Sequence, residues 1–268
     1  MSVVPRSEPV APAVDLMGVR VHAIREDECV RMVCSDLDAG RGGWIVTPNL
    51  DHLRRLVGEK SYRDLCASAD LCVADGMPLV WAARLQGTPL PERVAGSNLI
   101  WSLSRAAAQR GFSIYLLGGE PGTAESAADV LCTHFPRLRV AGIHCPEFGF
   151  ERKRAEVSDI AWRLIQARPD IVFVALGSPK QEKLIRDMRA LLPSSWWLGI
   201  GISFSFVAGE VKRAPRWMQR AGLEWTHRLA QEPRRLARRY LVDDAPFAVV
   251  LLANSVRRRL GFRTEVGT

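Results

Sequence analysis

Six short apolar runs punctuate the chain: Gly43–Thr47, Leu71–Ala74, Ser113–Leu117, Arg139–Ile143, Ile171–Leu176 and Trp196–Ile200. They barely alternate between apolar and polar positions, the pattern of strands buried on both faces of a parallel sheet. Between them lie stretches with helical spacing: Leu50–Ala69, Met77–Leu85, Asn98–Arg110, Gly122–Phe135, Arg152–Ala167 and Pro179–Leu191. Strand–helix alternation over some 200 residues predicts an α/β fold with a doubly wound, mostly parallel sheet. No repeat or low-complexity tract interrupts it.

In such a sheet, ligands bind outside the carboxyl ends of the strands. The residues that follow each run therefore matter most. They are Thr47-Pro48-Asn49, Asp75-Gly76, Gly118-Gly119-Glu120-Pro121-Gly122, His144-Cys145-Pro146, Gly177-Ser178-Pro179-Lys180-Gln181 and Gly201-Ile202-Ser203. The series brings polar, Gly- and Pro-rich tips to one edge.

Each tip has a structural and a functional reading. Gly118–Gly122 is either a tight βα turn or a loop whose N–H groups meet a phosphate at a helix N-terminus; it is neither G-x-G-x-x-G nor a P-loop. Ser178, Pro179 and Gln181 have capping-box spacing, and their place at the mouth of the sheet keeps a ligand role open for Gln181. Asp75 either caps a helix or serves as a general base, which requires a carboxylate on a rigid element facing a hydroxyl. Asp36-Leu37-Asp38 precedes a strand and reads as a solvated helix end, so no metal is expected.

Charge changes the picture at the C-terminus. The chain of 268 residues carries a net +8. Residues 209–268 hold 13 Lys/Arg against 6 Asp/Glu, whereas the first 208 residues hold 24 against 23. This break divides the chain into a flexible N-terminus (1–14), an α/β catalytic domain (15–208) and a basic helical appendage (209–268) that associates with membrane. The appendage carries Trp217, Trp225 and Arg257-Arg258-Arg259, suited to phosphates and an anionic bilayer surface. The apolar run 246–253 is too short to span a bilayer and fits a helix lying on one.

Six cysteines without C-x-x-C pairs, and five scattered histidines, point to a reducing compartment and to neither a metal site nor a cofactor. The N-terminus lacks the pattern of a signal peptide. Two other classes fit parts of the pattern. An Arg-rich tail suits a nucleic-acid-binding protein, but no such motif accompanies it. The α/β alternation suits a nicotinamide-dependent oxidoreductase, but the dinucleotide fingerprint is missing.

The segments TPNLDHL, ADGMPLVWAARLQGTPLPERVAGSNL, YLLGGEPG, PDIVFVALGSPKQE, GIGISFSFVAGEVKRAPRWMQRAGLEW and RLAQEPRRLARRY resemble the WecG/TagA/CpsF glycosyltransferases, from about Met17 to Tyr240. The resemblance implies a Rossmann-like fold and a metal-independent, inverting transfer from a UDP-sugar to a polyprenyl-diphosphate-linked sugar. It implies work at the cytoplasmic face of the bacterial plasma membrane in polysaccharide synthesis, without nucleic acid and with a homo-oligomer left open. By the resemblance, Asp75 is the general base. Thr47, Asn49, Arg93 and Gln181 meet the donor, and Gly118, Gly119 and Glu120 border the nucleotide. Arg228, Arg235 and Arg238 meet a diphosphate or the membrane. The resemblance leaves UDP-glucose and UDP-N-acetylmannosamine both open as donors; one departure, Ser205, where many members carry Asp between two Phe residues, leans away from the latter.

Overall fold

In a computed structural model, which describes residues 11–261, a six-stranded sheet forms the centre. Its strands are β3 (Gly43–Val46), β4 (Leu71–Cys72), β5 (Ser113–Gly118), β6 (Arg139–His144), β7 (Ile171–Ala175) and β8 (Trp196–Gly199), in the order β4-β3-β8-β7-β5-β6. All the pairings are parallel. The expected α/β architecture is therefore present.

The lack of alternation in the strands has a direct cause. One face of the sheet presents Ile45, Ile114, Leu116, Ile171, Phe173, Trp196 and Leu198 to α1 (Glu26–Asp38), α5 (Gly96–Arg110) and α6 (Thr123–His134). The other presents Trp44, Val46, Tyr115, Leu117, Val172, Val174 and Trp197 to α3 (Lys60–Cys66), α7 (Arg154–Ala167), α8 (Lys180–Met188) and Leu56 of α2 (Leu50–Gly58). Successive side chains enter opposite cores, so the inner strands are apolar at nearly every position, whereas the edge strand β6 carries Arg139 and His144.

A hairpin of β1 (Ala13–Leu16) and β2 (Val19–His22) precedes this sheet. Val14, Leu16 and Val21 are buried against α4 (Met77–Leu85) and α13 (Ala245–Arg259). The hairpin was not among the expected elements, of α1 only its end at Asp36–Asp38 was, and the strand begins inside the segment expected to be flexible, at Ala13. Residues 1–10 of that segment lie outside the described ones. The helix expected over 50–69 is two helices: Glu59 is extended, and the Arg63 guanidinium donates to the Leu56 and Val57 carbonyls that the break leaves free. Asp36 is not solvated. It is buried and accepts two hydrogen bonds from Arg41, while Asp38 is exposed and pairs with Arg110.

After α9 (Ser203–Ala208) the chain turns at Gly209 into α10 (Arg216–Arg220), α11 (Glu224–Gln231), α12 (Pro233–Ala237), a π-helical segment Arg238–Asp244 and α13. These helices pack on the sheet domain. Leu251 of α13 is fully buried with Leu16, Leu79 and Ala83. The outward side of the same helices shows Val249, Val250, Val256 and Leu260, near the exposed Leu241 and Val242. Gly222, at φ +72° in the turn before α11, forms a tight seam: a Cβ there would lie 2.6 Å from the Trp81 ring and 2.8 Å from the Met77 Cβ, so only glycine lets this turn approach α4 so closely.

Candidate active site

The strand-end loops and the C-terminal helices enclose one cleft of about 1370 Å³. The β3 loop contributes Thr47 and Asn49, the β4 end Asp75, the β5 loop Gly119 and Glu120, and α8 Gln181. From the opposite wall come Glu224, Arg228, Arg235 and Arg239.

Asp75 is set by backbone contacts. Its N–H donates to the Pro48 carbonyl at 2.9 Å, and its carboxylate accepts from the Gly96 N–H at 3.3 Å. The fixed main chain holds the side chain at the rim, where 27% of its surface stays open. Burial pushes its carboxyl above the ordinary value; Arg93, 3.9 Å away, opposes the rise, and Glu224 adds to it. The result is a carboxylate of raised proton affinity beside an open volume, the property a general base needs.

Arg93 donates to Glu224 at 2.7 Å, and Arg213 reaches the other Glu224 oxygen at 3.4 Å. Burial works against ionising Glu224, but the two guanidiniums outweigh it and hold its carboxyl below the usual range. A chain of alternating charges thus joins the sheet domain to α11.

Gln181 is buried and pinned at both ends. Its Oε1 accepts from the Gly201 N–H at 3.1 Å, and its Nε2 donates to Glu182 at 3.0 Å. Burial raises the Glu182 carboxyl. The expected capping box does not form. α8 starts at Lys180 without a side-chain cap, and the Ser178 hydroxyl instead meets Arg55 and Tyr62. Asn49 has a local task as well, since its Oδ1 caps α2 by accepting from the His52 N–H. His52, beside it, is kept neutral: burial, then Arg239, lowers it to about 4.

Two expected site residues lie off the cleft lining. Gly118 is the last residue of β5, and a Cβ there would stand 2.6 Å from the Ala175 carbonyl oxygen. Its bare backbone permits the β5–β7 pairing, and the cleft wall begins at Gly119. Arg238 is exposed and faces away; Arg239 takes the inward place and pairs with Asp51 at 3.3 Å and with Asp244 at 3.7 Å. The π-helical turn from Arg238 widens the spacing, so i+4 rather than i+3 follows Arg235 inward. Arg228 lies over the Phe206 ring, and Arg235 pairs with Glu232. Glu120 lines the cleft, and Thr123, at the start of α6, donates to the Glu210 carboxylate at 2.9 Å. Ser205 also lines the cleft.

Sequence reasoning passed over Glu224, Arg239, His52 and Glu182. Only Glu224 and Arg239 had a legible signal, as polar residues in the basic helices. Among the described residues no three His, Cys, Asp or Glu side chains are placed to share a metal ion.

A parallel α/β sheet with a carboxylate and arginines around a strand-end cleft places a ligand site where doubly wound enzymes carry theirs. The family model described as "Glycosyl transferase WecG/TagA/CpsF family" matches residues 14–261, and the chain belongs to that family; it is a glycosyltransferase. Among its relatives is the N-acetylglucosaminyldiphosphoundecaprenol N-acetyl-beta-D-mannosaminyltransferase of Bacillus subtilis (strain 168), 33% identical over 223 residues, 83% of this chain and 84% of the relative. The protein of the same name from Bacillus spizizenii is 34% identical over 214 residues, 80% of this chain and 81% of the relative.

Proposed function

We propose that the chain transfers N-acetylmannosamine from a UDP-sugar to a polyprenyl-diphosphate-linked N-acetylglucosamine, with inversion, in the synthesis of a cell-surface polysaccharide. The observation that carries this reading is Asp75: a carboxylate of raised proton affinity, fixed by main-chain hydrogen bonds, opening onto a cleft whose far wall is lined by arginines. The sugar and acceptor follow the names of the two Bacillus relatives.

In the reaction, the acceptor hydroxyl oxygen attacks the anomeric carbon, and its proton passes to the Asp75 carboxylate. The bond from that carbon to the UDP oxygen breaks, UDP leaves with the electron pair, and one displacement inverts the configuration. General-base help of this kind contributes roughly 10²–10⁴-fold. Thr47, Asn49 and the pinned Gln181 border the donor sugar, and Gly119 and Glu120 border the nucleotide. Arg228, Arg235 and Arg239 supply fixed positive charge for the diphosphate oxygens of the lipid-linked acceptor.

The exposed Trp217, Leu241, Val242, Val249 and Leu260 give the C-terminal helices an apolar side suited to a bilayer surface. Among the described residues no helix is long and apolar enough to cross a membrane. A peripheral enzyme on the inner face of the plasma membrane, drawing its acceptor from the bilayer, fits both features.

Ser205 favours a second reading, with UDP-glucose as donor, because it offers the cleft a hydroxyl at the position where the family resemblance leads one to expect a carboxylate. The test is an assay of the purified chain with a short-chain polyprenyl-diphosphate-N-acetylglucosamine and either UDP-N-acetylmannosamine or UDP-glucose, read by mass spectrometry. Transfer from the first donor supports the main reading, and transfer from UDP-glucose alone supports the second. No glycosylated lipid from either donor overturns both.

A further inference from the structure

Arg93 has two acidic neighbours and chooses between them. Its Nη1 lies 2.7 Å from Glu224 and 3.9 Å from Asp75. The choice links distant parts of the chain, since Asp75 and Arg93 belong to the sheet domain and Glu224 is the first residue of α11. The side chains of Arg93, Glu224 and Arg213 are only 15%, 17% and 22% exposed. Three charged groups enclosed in this way are not a solvated surface pair. One further feature marks the cluster: Arg213 Nη2 is buried without a hydrogen-bond partner, so Arg213 is held by Glu224 through its Nε.

We propose that Glu224 is a positioning residue: by clamping Arg93 it keeps that guanidinium from closing on Asp75, so that the carboxylate stays free for its proton only while the C-terminal helices are docked. The proposal rests on the reading of Asp75 as the general base.

The physical case is one of competition. A guanidinium that closes on a carboxylate forms two parallel hydrogen bonds, which occupy the oxygens and lower their proton affinity. Here Glu224 occupies the near side of Arg93, and Arg213 holds Glu224 from behind. The charged groups facing Asp75 are Arg93, Glu224 and Arg213, and the Gly96 N–H adds a hydrogen bond. Glu224 therefore acts on Asp75 twice, by its own negative charge and by holding Arg93 away, and both effects raise the proton affinity of the base. The seam at Gly222 places α11 where Glu224 can do this. Undocking these helices would release Arg93 onto Asp75 and silence the base, which ties proton transfer to engagement of the acceptor side.

The experiment compares full-length wild type, Glu224→Gln, Glu224→Asp and Asp75→Asn. It uses pH–rate profiles with the lipid-linked acceptor and UDP-sugar affinity by calorimetry. The expected result for Glu224→Gln is an acid limb moved to lower pH, with kcat on the plateau reduced roughly three- to tenfold and UDP-sugar affinity within about twofold of wild type. Glu224→Asp keeps the charge and restores part of the limb position, and it serves if the Gln variant does not fold. A Glu224 that merely anchors α11 would raise KM for the acceptor and leave the limb in place. Limbs at the wild-type position in both Glu224 variants, with Asp75→Asn inactive, overturn this inference alone. Turnover retained by Asp75→Asn overturns the base reading and this inference with it.

Discussion

Replacing Gly222 by alanine attacks the seam on which the cleft's second wall depends. At φ +72° a residue with a Cβ costs about 1–2 kcal/mol. The added carbon would also sit 2.6 and 2.7 Å from two atoms of the Trp81 ring and 2.8 Å from the Met77 Cβ, an overlap that costs about 1–3 kcal/mol to relieve. Trp81 is 38% exposed, so its ring has room to yield and the second cost falls toward the low end. The total against the docked arrangement is then about 2–3 kcal/mol, or roughly 30- to 150-fold in the docking equilibrium. The assay is paired: time-resolved trypsin cleavage within the C-terminal helices, and turnover with the lipid-linked acceptor. Gly222→Ala should speed cleavage and reduce turnover together, while UDP-sugar binding, whose proposed contacts come from the sheet domain, persists. Adding Trp81→Ala removes the overlap with the ring but neither the Met77 contact nor the backbone strain, so it should recover part of both losses. A Gly222→Ala protein with wild-type cleavage and turnover would refute the claim that this seam seats the wall.

Two further outcomes follow from the site. His52, kept neutral down to about 4, binds fewer protons folded than unfolded, so its contribution is present above its unfolded value of about 6.5 and is lost as pH falls toward 4; between pH 7.5 and 5 the wild type should lose about 2 kcal/mol more stability than His52→Gln in urea titrations, and equal losses would contradict the burial. Arg235→Ala should raise KM for the lipid-linked acceptor about tenfold, whereas the outward Arg238→Ala should change it less than twofold, as steady-state kinetics would show.

The sheet was legible because burial on both faces leaves a mark in each strand: Ile45 and Trp44, or Val172 and Phe173, are apolar neighbours that enter opposite cores. The same logic located the strand-end loops and, through them, Thr47, Asp75 and Gln181 on one cleft. The β1–β2 hairpin was hidden by its Pro-rich lead-in, although Val14 and Leu16 in one strand and Val19 and Val21 in the other each keep a period of two and pair across the Met17-Gly18 turn. Ser178 had good capping spacing, yet tertiary partners 123 and 116 residues away took its hydroxyl. Arg238 and Arg239 cannot be ranked without knowing that the helix widens there. Glu224 was legible only as a polar residue in a basic helix; its partner Arg93 lies 131 residues earlier, so spacing could not pair them. Spacing reads local geometry well, whereas long-range ion pairs and the phase of an irregular helix emerge only once the chain is folded.

The most direct measurement is single-turnover transfer by Asp75→Asn with saturating donor and lipid-linked acceptor, alongside donor binding by calorimetry. The amide keeps the shape of the side chain and removes its capacity to take a proton. The account predicts donor affinity within about twofold of wild type and transfer slowed at least a hundredfold; transfer within a few fold of wild type would contradict it.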